Sequence, residues 1–271
     1  MKMKALLLNG ALVSIAFLTL SPLIWMVSVS FMEPGAAGNF PPPLVPEAPT
    51  LANYRALLAH TGMASYFLNS LIVVVGATGL SLSFNVAAGY AFAKLRFVGR
   101  DRIFRFFLAA LVIPGQVGTI PLFLMLKQMG LVNTYAGVLV PYIASIFGIF
   151  LVRQYALAVP DEMLEAARVD GATEFRIFRS IVLPVLRPVM ATLAVFSFLT
   201  AWNDFLWPLI ILTDDEFYTL PVALAVLSRE HVQDSEMMMA GSVITLLPPL
   251  AVFLALQRYY MAGVFAGSVK G

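Results

Sequence analysis

Cysteine is absent from this 271-residue chain, which rules out a disulfide framework, a thiolate metal site and a cysteine nucleophile. Histidine is almost absent too, and two residues do not make a histidine-rich metal site, so no metal ligands are expected. Charge is scarce: Asp, Glu, Lys and Arg make up 12% of the residues, where a soluble domain carries roughly 25%. With 60% hydrophobic residues there is too little polar surface to cover a water-soluble globule. Intrinsic disorder is excluded by the same figures, because disordered chains are polar and charge-rich. Apolar and polar residues do not alternate over stretches of about ten, which argues against barrel strands. What remains is a helical integral membrane protein.

Long apolar runs are what the chain has in abundance. Crossing about 30 Å of hydrocarbon at ~1.5 Å per residue takes roughly 20 apolar residues. Six runs qualify, at residues 5–31, 71–92, 106–126, 135–152, 189–212 and 237–256, and Asp204 is the one formal charge inside them. The expected fold is all-α, a single transmembrane domain of residues 1–271 with six membrane-spanning helices. Lys2 and Lys4 precede the first run as they would in a signal peptide. That run far exceeds the roughly 7–15 residues of a signal core, so a retained helix is expected.

Orientation follows from the basic residues. With the N-terminus in the cytoplasm, Lys2, Lys4, Lys94, Arg96, Arg100, Arg102, Arg105, Arg153, Arg168, Arg176, Arg179, Arg187, Arg258 and Lys270 lie inside. Arg55, Lys127 and Arg229 lie outside, a split of 14 to 3. Positive loops stay in the cytoplasm, so both termini are placed there. Most of these charges adjoin span ends, where topology accounts for them, and nucleic acid is not an expected partner. The lipid bilayer is.

The segments between the runs are informative in turn. Residues 32–66 open with Pro41, Pro42, Pro43 and Pro46 as an irregular linker. Thr50 then caps a short amphipathic helix carrying Leu51, Tyr54, Leu57 and Leu58 on one face, expected along the outer membrane surface. Residues 213–236 form an acidic external loop with Asp214, Asp215, Glu216, Glu230, Asp234 and Glu236, either solvated or a docking surface. Pro114, Gly115, Gly118 and Pro121 punctuate the third run, and Pro248 and Pro249 the sixth. Such bends are tolerated in a membrane where protein or a water-filled cavity satisfies the freed backbone groups.

Residues 153–187 read RQYALAVPDEMLEAARVDGATEFRIFRSIVLPVLR. Pro160 starts a helix, Asp161 and Glu162 suit its positive end, and Arg168 suits the other. Gly171 stands where a left-handed closing residue belongs. Thr173 caps a second helix from Glu174, carrying Phe175, Phe178 and Ile181, which Pro184 interrupts. Taken alone, this is a capped helical hairpin at the membrane interface.

The run EAARVDGATEFRIFRSIVLP also resembles the EAA loop of bacterial ABC-importer permeases. Glu165, Ala166, Ala167, Gly171, Ile181, Leu183 and Pro184 supply that pattern in register, and Asp170 and Ala172 complete its Asp-Gly-Ala core. PTLANYRALL, FLNSLIVV, VIPGQVGTIPLF, TAWNDFLWPLI and GVFAGSVKG are similar to the carbohydrate branch, in particular to the six-span permease subunit of the maltose transporter. The resemblance covers nearly the whole chain. It implies a permease subunit, forming with a second permease a heterodimeric pathway for a sugar or oligosaccharide in the bacterial inner membrane. Two cytoplasmic ATPase subunits, using ATP and Mg, and an external solute-binding protein are the further implied partners.

By the same resemblance, Glu165, Ala166, Ala167, Asp170, Gly171 and Ala172 form a coupling helix seated in an ATPase groove. No GxxxxGK[ST] phosphate loop is present, so hydrolysis belongs to the partners, and this chain is expected to be neither an enzyme nor a cofactor carrier. Two other classes fit less well. An ion-driven carrier commonly places ionisable groups in its spans and shows internal repeats, whereas here Asp204 stands alone and no repeat is evident. An intramembrane enzyme needs a catalytic constellation, and Asp204 has no charged partner in the spans. Gln116 in the third run and Trp202, Asn203 and Asp204 in the fifth are the candidate pathway residues. Amide and carboxylate groups bond sugar hydroxyls and an indole stacks on a sugar face. The competing role for Asn203 and Asp204, the one expected here, is to fasten neighbouring helices together.

Overall fold

The computed structural model describes residues 2–230 and 234–268. His231 and Lys270 lie outside the described residues, as do the side chains of Lys2, His60, Glu230 and Arg258. Among the described residues the regular structure is helical throughout. In chain order the α-helices are α1 (Lys2–Ser30), α2 (Ala52–His60), α3 (Met63–Lys94), α4 (Arg100–Ala110) and α5 (Thr119–Gln128). There follow α6 (Tyr135–Leu139), α7 (Ile146–Leu157), α8 (Asp161–Val169) and α9 (Glu174–Ile177). The chain ends with α10 (Leu183–Trp202), α11 (Leu206–Ile211), α12 (Leu220–Glu230) and α13 (Ser235–Ser268).

Four stretches are long and apolar enough to cross a membrane: Leu6–Ser30, Met63–Lys94, Glu174–Trp202 and Ser235–Gln257. Two bent pairs bring the number to six if each pair is one span. The third apolar run, residues 106–126, is therefore not one straight helix. Its two halves, α4 and the 119–128 helix with its 3-10 lead-in, meet at 100°. Pro114 removes a donor and fixes its own φ, and Gly115 and Gly118 add chain freedom beside it. The fourth run bends by 46° between Tyr135–Tyr142 and Ile146–Leu157. Ser145 restarts the helix there by accepting from the Gly148 N–H at 2.8 Å.

The fifth run begins earlier than expected, and Pro184 does not interrupt it. Phe178–Val182 forms one wide π turn that joins α9 to α10. A proline has no N–H and crowds the carbonyl four residues back, and a widened turn relieves both problems. The run then breaks at Asn203–Phe205, so α10 and α11 are separate helices. In the sixth run the helix passes through Pro248 and Pro249 without a break.

The chain divides into two compact units. In the first, residues 1–67 and 220–248, α2 docks against the C-terminal end of α1. Asn53 is buried and its amide donates to the carbonyls of Ser30 and Met32 at 3.1 and 2.8 Å, while Leu57 is fully buried. Of the face expected along the membrane surface, Leu57 packs into the protein while Leu51 and Leu58 stay exposed and open to lipid. Most of the described residues of the acidic segment 213–236 are helical rather than loop. Glu236 in it is buried and accepts from the Ala37 N–H at 2.7 Å, so it offers no docking charge.

The second unit, residues 68–219 and 249–271, holds the candidate sites. Its largest core runs through Val86, Tyr90, Val152, Leu164, Ile177 and Leu186. Gly89 permits the closest helix contact in it: a Cβ there would stand 2.6 Å from the Val152 Cβ and 3.0 Å from the Arg153 nitrogen. Glycine is required at that crossing.

Candidate functional site

The segment 153–187 folds as a hairpin of α8 and α9 beneath the core of the second unit. Pro160 lies one residue outside α8, in the N-cap position with extended backbone, and Asp161 and Glu162 occupy the first turn. Negative side chains are favoured at that positive helix end. Leu164 is buried and Ala167 half-buried, which leaves Glu162, Met163, Glu165, Ala166 and Val169 on an open face. Val169 is 88% exposed, an unusual place for a large aliphatic side chain that shields nothing in this chain.

Gly171 closes α8 with φ +79°, the left-handed conformation. The Ala172 N–H donates to the Ala167 carbonyl at 2.9 Å and the Gly171 N–H to the Arg168 carbonyl at 3.0 Å. Those two bonds are the Schellman closure, and they satisfy carbonyls that the helix end would otherwise leave open. Asp170 and Ala172 flank the turn, and Thr173 starts α9 by accepting from the Arg176 N–H at 3.4 Å. The two helices are thus stopped and restarted within four residues.

Both ends of α8 are anchored. Lys94, the last residue of α3, donates to Asp161 Oδ1 at 2.7 Å and to the Val159 carbonyl at 2.6 Å. The Lys94 side chain is only 5% exposed, while Asp161 is 72% exposed. The hydrogen bond from Lys94, reinforced by its charge, holds the Asp161 carboxyl below the usual carboxylate range. At the other end Arg168 Nε donates to Glu174 Oε1 at 2.6 Å, and the Tyr90 hydroxyl donates to Glu174 Oε2 at 3.0 Å. The bond to Glu174 raises the Arg168 pKa, so that guanidinium stays charged at any working pH.

The pathway candidates separate. Gln116 and Asp204 come together on one cavity of about 360 Å³, shared with Gly115, Thr119, Pro141 and Trp207. That volume is within the range of small-molecule sites, roughly 300–1,000 Å³. Asp204 also fastens the bundle: it accepts from the Tyr142 hydroxyl and from the Trp207 N–H at 3.3 Å, which starts α11 beyond the break. Asn203 is exposed and its amide turns back to the Leu199 carbonyl at 2.8 Å. Trp202 is 1% exposed and stacks on Phe198 with centroids 5.8 Å apart, so its ring presents no face to a sugar.

A second cavity of about 400 Å³ adjoins Tyr142 and is lined by Ser81, Ser145, Phe196, Ser197 and Thr200. Below it the fully buried Asn85 donates to Ser81 Oγ at 2.8 Å and accepts from the Ser145 N–H at 2.8 Å. Ser81 and Ser197 hydroxyls pair at 2.7 Å. Sequence reading overlooked Tyr90, Lys94, Tyr142 and Glu174. A signal existed for the first two: they are four residues apart, on one face at the end of an apolar run. For Tyr142 and Glu174 none did, because their partners are distant in sequence.

No group of three or more His, Cys, Asp or Glu suited to a metal ion exists among the described residues. The family described as "Binding-protein-dependent transport system inner membrane component" matches residues 85–265. The arabinooligosaccharides transport system permease protein AraQ of Halalkalibacterium halodurans is 38% identical over 264 residues, covering 95% of this chain and 93% of that protein. The lactose transport system permease protein LacG of Rhizobium radiobacter is 34% identical over 260 residues, covering 94% and 92%. A crystal structure of a bacterial ABC transporter involved in the import of the acidic polysaccharide alginate contains a chain of the same fold. It superposes with a TM-score of 0.85 over 96% of this chain and 97% of that one, at 23% identity.

Proposed function

We propose, from the premise that this chain belongs to the family of binding-protein-dependent transport system inner membrane components, that residues 1–271 act as one transmembrane permease domain of a sugar-importing ABC transporter. The sugar class rests on relatives named for arabinooligosaccharides and for lactose. The observation that carries the mechanism is the hairpin: a short helix closed at both ends, with Glu165 and Ala166 turned to the open side.

In this reading α8 is the coupling helix. Ala166 has no bulk to keep a partner's backbone away, Glu165 offers a charge-assisted bond, and Met163 and Val169 supply apolar contact. Glu165, Ala166, Ala167, Asp170, Gly171 and Ala172 enter a groove of a cytoplasmic ATPase, and Leu164 on the opposite face holds the helix to this chain. Two such ATPases bind ATP and Mg, a second permease completes a heterodimeric pathway, and an external binding protein delivers the sugar. The chain sits in the inner membrane with both termini in the cytoplasm. Gln116 and Asp204 face the sugar, while Trp202 and Asn203 fasten the break after α10.

Gentle purification of the tagged chain tests this directly. A second permease and two ATPase copies should co-purify, and vesicles reconstituted with them and supplied with the binding protein outside should take up labelled arabinotriose or lactose only with ATP inside. Uptake by the lone chain on an ion gradient would overturn the proposal.

A further inference from the structure

Helix α3 grips the hairpin at both ends and reaches the polar centre of the bundle higher up. At its foot Lys94 binds Asp161 at the start of α8, and it also meets the carbonyls of Val159 and Leu157 at 2.6 and 3.4 Å. One turn up, Tyr90 binds Glu174, whose other oxygen holds Arg168 in the last turn of α8. Gly89 brings α3 into backbone-close contact with α7. A turn further, Asn85 ties α3 to the start of α7 through the Ser145 N–H, and Ser81 ties it to α10 through Ser197. Ser81, Ser145 and Ser197 line the cavity that also holds Tyr142, the partner of Asp204.

We infer that α3 is the shaft that carries movement of the hairpin to the two cavities, and that Lys94 and Tyr90 are the positioning residues that fix the hairpin to it. The inference rests on the coupling role of α8. One anchor would set where a nine-residue helix sits but leave it free to pivot. Two anchors, at its first residue and through its last turn, fix its axis as well. Between them lies a close-packed floor of Leu164, Ile177, Val86 and Val159, each at most 2% exposed. Apolar packing holds without direction, whereas hydrogen bonds impose geometry. Removing the two anchors should therefore leave the hairpin folded and bound to its ATPase, but slipping against α3. Densely packed interiors pass displacement along rather than absorbing it, so the grip is the step at which transmission is lost.

The test uses the assembled transporter in lipid vesicles with ATP and vanadate as the probe. The readout is the nucleotide-driven change in hydrogen exchange of peptides covering residues 140–147 and 197–206. In Tyr90→Phe combined with Lys94→Met, ATPase binding and hydrolysis should stay within roughly two-fold of the parent. The exchange change should fall by about five-fold or more, the lower end of ordinary coupling free energies. Lys94→Arg with Tyr90 intact should restore it. An unchanged exchange response in the double variant overturns the inference. If that variant assembles poorly, the absence of native cysteine allows a second measurement. Lys94→Cys with Asp161→Cys is compared with and without a thiol-bridging cross-linker of lysine length. A response that returns with the bridge supports the shaft, and one indifferent to the bridge refutes it. Failure of the coupling role itself looks different, because Glu165→Lys would then leave ATPase binding and stimulation intact.

Discussion

Replacing Gly171 by valine isolates the contribution of one backbone conformation. At φ +79° no heavy atom lies within 4 Å of where a Cβ would stand, so crowding by neighbours adds nothing. The whole cost is the left-handed conformation, roughly 1–2 kcal/mol for an L-residue and at the upper end or beyond for a β-branched one. At about 2 kcal/mol the closed turn loses about 30-fold against opened forms. Opening also releases the Arg168 carbonyl on an exposed residue and the Ala167 carbonyl on a half-buried one. Asparagine tolerates the conformation better than other non-glycine residues, and alanine falls between. Coupling should therefore rank Gly171, then Gly171→Asn, then Gly171→Ala, then Gly171→Val. Membrane insertion should be equal in all four, because no span is altered. The assay is ATPase co-purification and binding-protein-stimulated hydrolysis on matched amounts of inserted protein. If Gly171→Val lowers protein level but leaves both readouts per complex at the parent value, the hairpin is only a structural element and the reasoning fails.

Three further outcomes are expected. Cysteines at Gly38 and Asp215 should react with an impermeant thiol reagent from outside intact cells, and those at Gly99 and Gly171 only from inside; external labelling at Gly171 reverses the topology. The Lys94–Asp161 bridge lowers the Asp161 pKa, so its contribution is present above the ordinary carboxylate range, near pH 4, and is lost as pH falls through the lowered value. Hydrogen-exchange protection at the start of α8 should therefore be flat from pH 8 to pH 5, and Asp161→Asn should reduce it throughout; a midpoint near neutrality contradicts this. Gln116→Ala should alter sugar preference with assembly intact. Asp204→Ala should lower thermal stability of the complex by about 1–3 kcal/mol, through the abandoned Tyr142 hydroxyl and Trp207 N–H; equal stability would leave Asp204 with the pathway role alone.

The membrane class was legible because scarcity of charge and run length are properties of composition. The hairpin was legible because its signals are local: Thr173 caps at short range, and Gly171 closes a turn that two bonds within six residues define. Hydropathy could not locate the 100° bend in the third run, since an apolar residue scores the same in a straight helix and in a folded one. Nor do prolines settle the matter. Pro248 and Pro249 lie in an unbroken helix, whereas the residues around Pro114 break one. The break lies where Pro114 itself leaves the helical conformation, at φ −59° and ψ 130°. Trp202 reads as a sugar platform on chemistry alone, and its burial against Phe198 depends on a ring four residues back whose rotamer sequence does not state. Tyr90 to Glu174 and Tyr142 to Asp204 join residues 84 and 62 positions apart, beyond any local pattern.

The wide turn at Phe178–Val182 leaves a mark on spacing. The buried row that follows the hairpin into the span is Ile177, Val182, Leu186, Val189 and Leu193, at intervals of five, four, three and four. An ordinary helix keeps a face with intervals of three and four. The interval of five works only because one turn carries a surplus residue. That turn is therefore slack in the register of the chain. Deleting one residue between Phe178 and Ile181 leaves an interval of four, and the same side chains still meet the same core. Deleting one between Val189 and Leu193 has no such reserve and swings every later side chain by about 100° around the axis. A one-residue deletion would be absorbed at that turn, whereas the span beyond it has no such reserve.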